Sequence, residues 1–224
     1  MAKSQDNKIF TYGRVENTSY MNWRTSRYDD IYNYTVLGDG FSQAALILMD
    51  KILEDNTDKK GDVLIFPIFY NINQAIEVYL KAIIYVLNEL KGDIKENIKD
   101  HDIRSLLSQM KARIEKVEDS TKGLEKYLKP LSSYINELYG KIYYDEKGVK
   151  SKAHIDFARY PVTTAGTQHF YIKNHENEVV NIKNLREKFK EAKECLKNLY
   201  FMYSNRLESI KEMKAEAEES RLCY

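Results

Sequence analysis

Five polar side chains recur at helical spacing along an otherwise apolar segment, residues 73–88. At about 100° per residue they project into one arc of about 100°. They are Asn73, Gln74, Glu77, Lys81 and Asn88. A polar stripe on a buried helix needs hydrogen-bond partners or must line a groove. Glu77 and Lys81 stand four residues apart in the favourable order for an ion pair. The stripe therefore predicts either a structural ion pair or a polar network that lines a nucleotide or RNA groove.

Two residues far downstream have the chemistry to complete such a network. The imidazole of His101 suits acid–base catalysis if Glu77 lies nearby; the alternative is a loop histidine that orders a helix start. The guanidinium of Arg159 suits recognition of phosphate or carboxylate; the alternative is a structural anchor. We predict that Glu77, Lys81, His101 and Arg159 converge in space.

The candidate site residues divide into two sets. The catalytic candidates are Glu77, His101 and Arg159. The ligand-binding candidates are Asn73, Gln74, Lys81, Asp102 and Tyr160.

No metal or cofactor is predicted. His154, His169 and His175 are spaced by 15 and 6 residues, which matches no standard ligand pattern. The chain contains no glycine-rich phosphate loop and no recognisable serine or cysteine nucleophile motif.

Composition limits the class of protein. With 224 residues the chain is long enough for one domain with elaborations. A net charge of +1 gives no global attraction to nucleic acid or anionic membrane. The longest apolar run, residues 63–70, is too short to span a membrane. Two cysteines and no recognisable secretory signal favour the cytoplasm.

Periodicity predicts an all-α bundle of about five helices. We expect an irregular arm over residues 1–35, a helical domain over 36–216 and a frayed tail over 217–224. The first helix is expected at about 39–54, and Pro67 is expected in the first turn of the central helix. Short β-like runs over 153–181 predict a small β-hairpin or irregular insertion before a long last helix.

The last helix presents a long apolar seam. Its members recur at alternating three- and four-residue spacing, with a break at Arg206. They are Ile182, Leu185, Phe189, Ala192, Leu196, Leu199, Tyr203, Ile210 and Met213. Such a seam requires a long neighbouring helix, in the same chain or in a partner. We expect a homodimer or a heteromeric complex.

Two segments together resemble the HEPN superfamily of small helical bundles. In that family a core helix reads Ala-x-Glu-x-x-Leu-Lys-Ala, as residues 75–82 do here, and a loop leads to His-Asp-Leu and a Leu-Leu pair, similar to residues 101–107. The stretch 157–161, Phe-Ala-Arg-Tyr-Pro, also resembles a segment of one HEPN-like subgroup, in which a glycine-containing turn and a long final helix follow. The resemblance implies an all-α fold and a prokaryotic toxin, abortive-infection or anti-phage setting.

The family contains both ribonucleases and non-catalytic members. Its ribonucleases resemble one another in an Arg-x4–6-His motif, and no histidine of this chain follows an arginine at that spacing. We therefore expect a non-catalytic or divergent module that binds RNA, a nucleotide or a partner protein. One alternative is a metal-independent RNA-cleaving toxin with a non-standard site. Another is a purely structural oligomerisation subunit.

Overall fold

A computed structural model describes residues 9–92, 98–118, 123–142, 155–163, 165–174 and 176–222. These contain helices α1 (Asp30–Glu54), α2 (Gly61–Lys91), α3 (Ile103–Glu118), α4 (Glu125–Ile142), α5 (Phe170–Lys173) and α6 (Ile182–Leu222), with 3₁₀ turns at Val15–Asn17 and Ile155–Ala158. Five of the helices are long, and the described ranges contain no strand. The predicted all-α bundle is confirmed.

Helix α2 is the centre of the bundle and contacts α1, α3 and α6. Ile76, Leu80 and Ile83 on α2 are fully buried. Gly38 on α1 lets the two helices approach closely, since a Cβ at this position would lie 2.6 Å from the ring of Tyr79. A side chain at position 38 would force the two helices apart.

Both α1 and α2 begin earlier than the sequence indicates. Helix α1 begins at Asp30, within the expected arm, because the Asp29 carboxylate caps it by accepting from the Tyr32 amide at 2.8 Å. Helix α2 begins at Gly61, whose amide donates to the Asn56 side chain at 2.8 Å. Pro67 therefore lies inside α2 and not in its first turn, so the expected position of that helix start was wrong.

The arm before α1 lies largely in solvent. Tyr12, Tyr20 and Trp23 contact one another, with ring centroids 6.4 Å and 5.9 Å apart for successive pairs. The Asn33 amide and Ser26 exchange two hydrogen bonds of 2.8 Å, which attach the end of the arm to α1. Residues 1–8 of the expected arm lie outside the described residues.

The insertion before α6 is irregular and contains two short helical segments. Its described part contains the 3₁₀ turn Ile155–Ala158, helix α5 and one isolated antiparallel bridge between Val162 and Gln168. Of the two expected forms, the described part takes the irregular one, and a single bridge replaces a hairpin. Phe157 anchors the turn, because its buried ring lies 5.5 Å from the rings of both Phe69 and Phe170.

The seam of α6 is covered by its own chain for most of its length. Leu185, Phe189, Leu196 and Tyr203 are buried against α4, α2 and α1. From Glu208 to Arg221 the residues of α6 are exposed except for a half-buried Ile210. The buried part of the seam therefore needs no second chain, and only the projecting end is left for a partner.

Helix α2 is long and apolar enough to cross a membrane by length and composition alone. Half of the apolar window is buried inside the bundle, and the core helix of a soluble protein passes the same test. The expected cytoplasmic location stays a prediction.

Candidate functional site

A cavity of about 460 Å³ opens beside the polar stripe of α2; we call it the polar pocket. Three segments form its walls: α2, the residues just before α3, and the 3₁₀ turn with the residue that follows it. Its lining consists of Tyr70, Asn73, Gln74, Glu77, His101, Asp102, Ile155, Asp156 and Arg159. The segments that resemble the HEPN family therefore meet at one cavity.

The Glu77 carboxylate connects the core to the pocket opening. Its Oε1 atom accepts from Lys81 Nζ at 3.0 Å and lies 2.8 Å from His101 Nδ1. The side chains of Glu77 and Lys81 are only 9% and 7% exposed, whereas that of His101 is 78% exposed. The Lys81 ammonium therefore compensates the buried Glu77 charge on the core side, and the His101 imidazole faces solvent.

Asn73 forms the inner end of the pocket and connects it to α4 by a hydrogen bond. Its Oδ1 accepts from the Tyr134 hydroxyl at 3.0 Å. Burial raises the pKa of Tyr134 well above its ordinary value, so the hydroxyl stays protonated and remains a donor. The Asn73 Nδ2 atom is buried and has no hydrogen-bond partner. A buried donor without a partner costs free energy, so an acceptor on a ligand at this point is stabilising.

Arg159 lies on the outer wall, on the residue after the 3₁₀ turn. Its guanidinium carbon is 5.7 Å from the ring centroid of Tyr70 and 5.0 Å from that of Tyr160. Its Nη2 donates to the Tyr160 hydroxyl at 3.1 Å. Arg159 is exposed and forms no ion pair with an acidic side chain of the described residues. Its charge is therefore available to an anionic ligand.

The loop that carries His101 is held by two aspartates. Asp102 Oδ1 caps α3 by accepting from the Ser105 amide at 2.8 Å, and it also accepts from the Tyr139 hydroxyl at 2.9 Å. Burial opposes ionisation of Asp100, but hydrogen bonds from Ser105 and from the Asp102 and His101 amides outweigh it and hold the pKa of Asp100 below its ordinary value. The two carboxylates thus hold the backbone that carries His101.

Six of the eight predicted site residues line the polar pocket: Asn73, Gln74, Glu77, His101, Asp102 and Arg159. Lys81 lies behind Glu77 and Tyr160 lies beside Arg159, and neither is part of the lining. Asn88, the last residue of the stripe, accepts from Arg113 of α3 at 2.6 Å and has a structural partner.

Sequence reasoning missed two polar residues of the lining. Tyr70 falls in the same arc as Asn73 and Glu77, three and seven residues earlier, so the helical period contained the signal. Asp156 has no such signal, because only the path of the insertion brings it to α2.

Within the described ranges, no group of three or more histidine, cysteine, aspartate or glutamate side chains is arranged to hold a metal ion. His169 is buried and stacks on Tyr171 with ring centroids 6.1 Å apart. His154 and His175 lie outside the described residues.

Comparison with protein-family models, with curated proteins and with solved structures finds no match to this chain. The resemblance to the HEPN superfamily therefore remains a hypothesis based on residues 75–82, 101–107 and 157–161.

Proposed function

We propose that the protein is a cytoplasmic HEPN-like module of a prokaryotic defence or toxin system and that its polar pocket binds RNA or a nucleotide without cleaving it. The observation that carries the proposal is Arg159. This exposed guanidinium lies over two tyrosine rings at the edge of the pocket and has no acidic partner in the described part of the chain. Arginine in such a setting is suited to bind phosphate.

The rest of the pocket suits one nucleotide. A volume of about 460 Å³ lies within the range of small-ligand sites, roughly 300–1,000 Å³. The amides of Asn73 and Gln74 offer the donors and acceptors that read a base edge, and Tyr70 in the lining offers a ring for stacking. Single-stranded RNA is recognised through this combination of stacking, edge hydrogen bonds and phosphate contacts.

Fluorescence anisotropy of a labelled single-stranded RNA tests the proposal. Arg159→Ala should weaken binding about tenfold to hundredfold, the equivalent of one charge-assisted contact. Arg159→Lys should restore only part of the affinity, because lysine lacks the planar fork. The matched control is Arg221→Ala, an exposed arginine at the far end of α6. Equal affinities for the wild type and Arg159→Ala would overturn the proposal.

A second candidate function is RNA cleavage at the same pocket. The specific observation in its favour is the 2.8 Å contact between His101 Nδ1 and Glu77 Oε1. A carboxylate that orients an imidazole leaves the Nε2 atom free for proton transfer, and Arg159 would hold the phosphate. Activity that depends on His101 distinguishes this candidate from simple binding.

We also propose assembly with a second copy or with another protein of the same defence system. The surfaces that support it are the α6 end after Leu207 and the aromatic arm, both exposed in the single chain. A role as a purely structural subunit has less support, because most of the α6 seam is already covered by the same chain. Light scattering at tens of micromolar measures the assembly directly.

A further inference from the structure

A second cavity of about 500 Å³ lies between α2, α4 and the first turns of α6, and the insertion closes one side. Six aromatic side chains line it: Phe66, Phe69, Tyr134, Phe157, Phe170 and Tyr171. Five aliphatic side chains complete the apolar surface: Ile65, Leu138, Val179, Val180 and Leu185. We call it the apolar cavity. Its lining comes from three helices and the insertion, and its volume lies within the range of small-ligand sites, roughly 300–1,000 Å³.

The edge of the apolar cavity carries charges that cancel. Lys141 Nζ lies 2.8 Å from the Glu178 carboxylate, and Lys188 pairs with Glu137. Two lysines matched by two glutamates select neither an anion nor a cation. The interior offers carbon surface and aromatic rings. The chemistry of the cavity therefore favours an uncharged ring compound.

The apolar cavity and the polar pocket share a wall. On the 3₁₀ turn, Phe157 lines the apolar cavity, while Asp156 lines the polar pocket and Arg159 follows two residues after Phe157. Tyr134 also connects the two, because its ring lines the apolar cavity and its hydroxyl donates to Asn73 at 3.0 Å. Each of these two residues is therefore connected, by the chain or by a hydrogen bond, to a group of the polar pocket.

We propose that the apolar cavity binds a small uncharged ring compound and that its occupancy is transmitted to the polar pocket through Phe157 and Tyr134. The binding part is independent of the proposed RNA function. The transmission to the polar pocket would matter for RNA binding only if the polar pocket binds RNA, and to that extent it rests on the proposed function.

The binding test uses N-phenyl-1-naphthylamine, an uncharged dye that fluoresces in apolar surroundings. The full chain should bind it, and Leu185→Phe, which adds volume inside the cavity, should weaken binding by about tenfold or more. Leu37→Phe is the matched control, since Leu37 is exposed on α1 away from the cavity. Thermal unfolding of each variant verifies folding. Binding that is absent, or unchanged in Leu185→Phe, overturns the proposal.

A second measurement on the wild-type protein needs no variant. In amide-correlated NMR spectra the dye should shift the side-chain signals of Asn184, which lines the apolar cavity, and of Asn73, which lines the polar pocket. Asn205, exposed on α6, is the internal control. A shift of Asn184 without a shift of Asn73 overturns the transmission, and no shift of either overturns the site. Because no RNA is present, a failure here is distinct from a failure of RNA binding.

Discussion

The Nδ1 atom of His101 lies 2.8 Å from Oε1 of Glu77, the same oxygen that accepts from Lys81. This contact joins a buried helix to an exposed loop 24 residues further along the chain. It makes the position of the exposed imidazole and the compensation of the buried Lys81 charge depend on one carboxylate.

The first prediction concerns the buried charge. Glu77→Leu should destabilise the protein by about 3–5 kcal/mol, because it leaves the Lys81 ammonium buried without its paired carboxylate. Adding Lys81→Met to the same chain should recover most of the loss, since a matched apolar pair needs no compensation. Urea unfolding of the two variants measures both values. A double variant no more stable than Glu77→Leu would contradict the ion-pair interpretation.

The second prediction concerns the central helix. Leu80 is fully buried on α2, so Leu80→Ala should cost about 2–5 kcal/mol in the free energy of unfolding. Leu37→Ala is the control, because Leu37 is 51% exposed and its truncation should change stability by less than about 0.5 kcal/mol. Similar losses for the two variants would show that α2 is not the core helix.

The third prediction concerns acid stability. The pKa of Asp100 is lower in the folded protein than in the unfolded chain, so ionised Asp100 stabilises the fold. That contribution is present above the unfolded value of about 3.9 and is lost as the pH falls through the lower folded value. Asp100→Asn should therefore be less stable than the wild type near neutral pH, and the difference should shrink in acid.

Unfolding curves at several pH values measure that difference. Ser105→Ala removes one donor to Asp100 and should reproduce part of the change. A constant gap between wild type and Asp100→Asn at every pH would assign the effect to something other than ionisation.

The fourth prediction concerns catalysis. The chain lacks the Arg-x4–6-His motif, and general acid–base catalysis typically contributes about 10²–10⁴-fold, so the purified protein should not cleave RNA detectably. The measurement is the cleavage of total RNA by the wild type, His101→Ala and Arg159→Ala. Robust cleavage by the wild type that both substitutions abolish, with the fold intact, would establish the ribonuclease alternative.

The helical period of the sequence is sufficient to place several parts of the site. Asn73, Glu77 and Lys81 share one face because a helix advances about 100° per residue, and Ile76 and Leu80 follow on the buried side for the same reason. The aspartates before α3 are a local capping signal of a different kind. Asp29 is a similar capping residue, for α1. The apolar residues of that helix recur regularly only from about residue 39, so periodicity alone places the start of α1 too late.

Other features depend on contacts between distant residues, which the period does not encode. Arg159 lies 82 residues after Glu77, and it reaches the polar pocket because Phe157 packs on Phe69 and Phe170. The seam of α6 indicated a long neighbour but not which chain supplies it. The structure shows that the same chain supplies it: α4, α2 and α1 cover the seam as far as Leu207. Burial of an apolar face depends on what covers it and not on its own spacing. By itself, then, the sequence determined the helices and their polar and apolar faces, and only the tertiary structure decided which of those faces meet and which cavity they enclose.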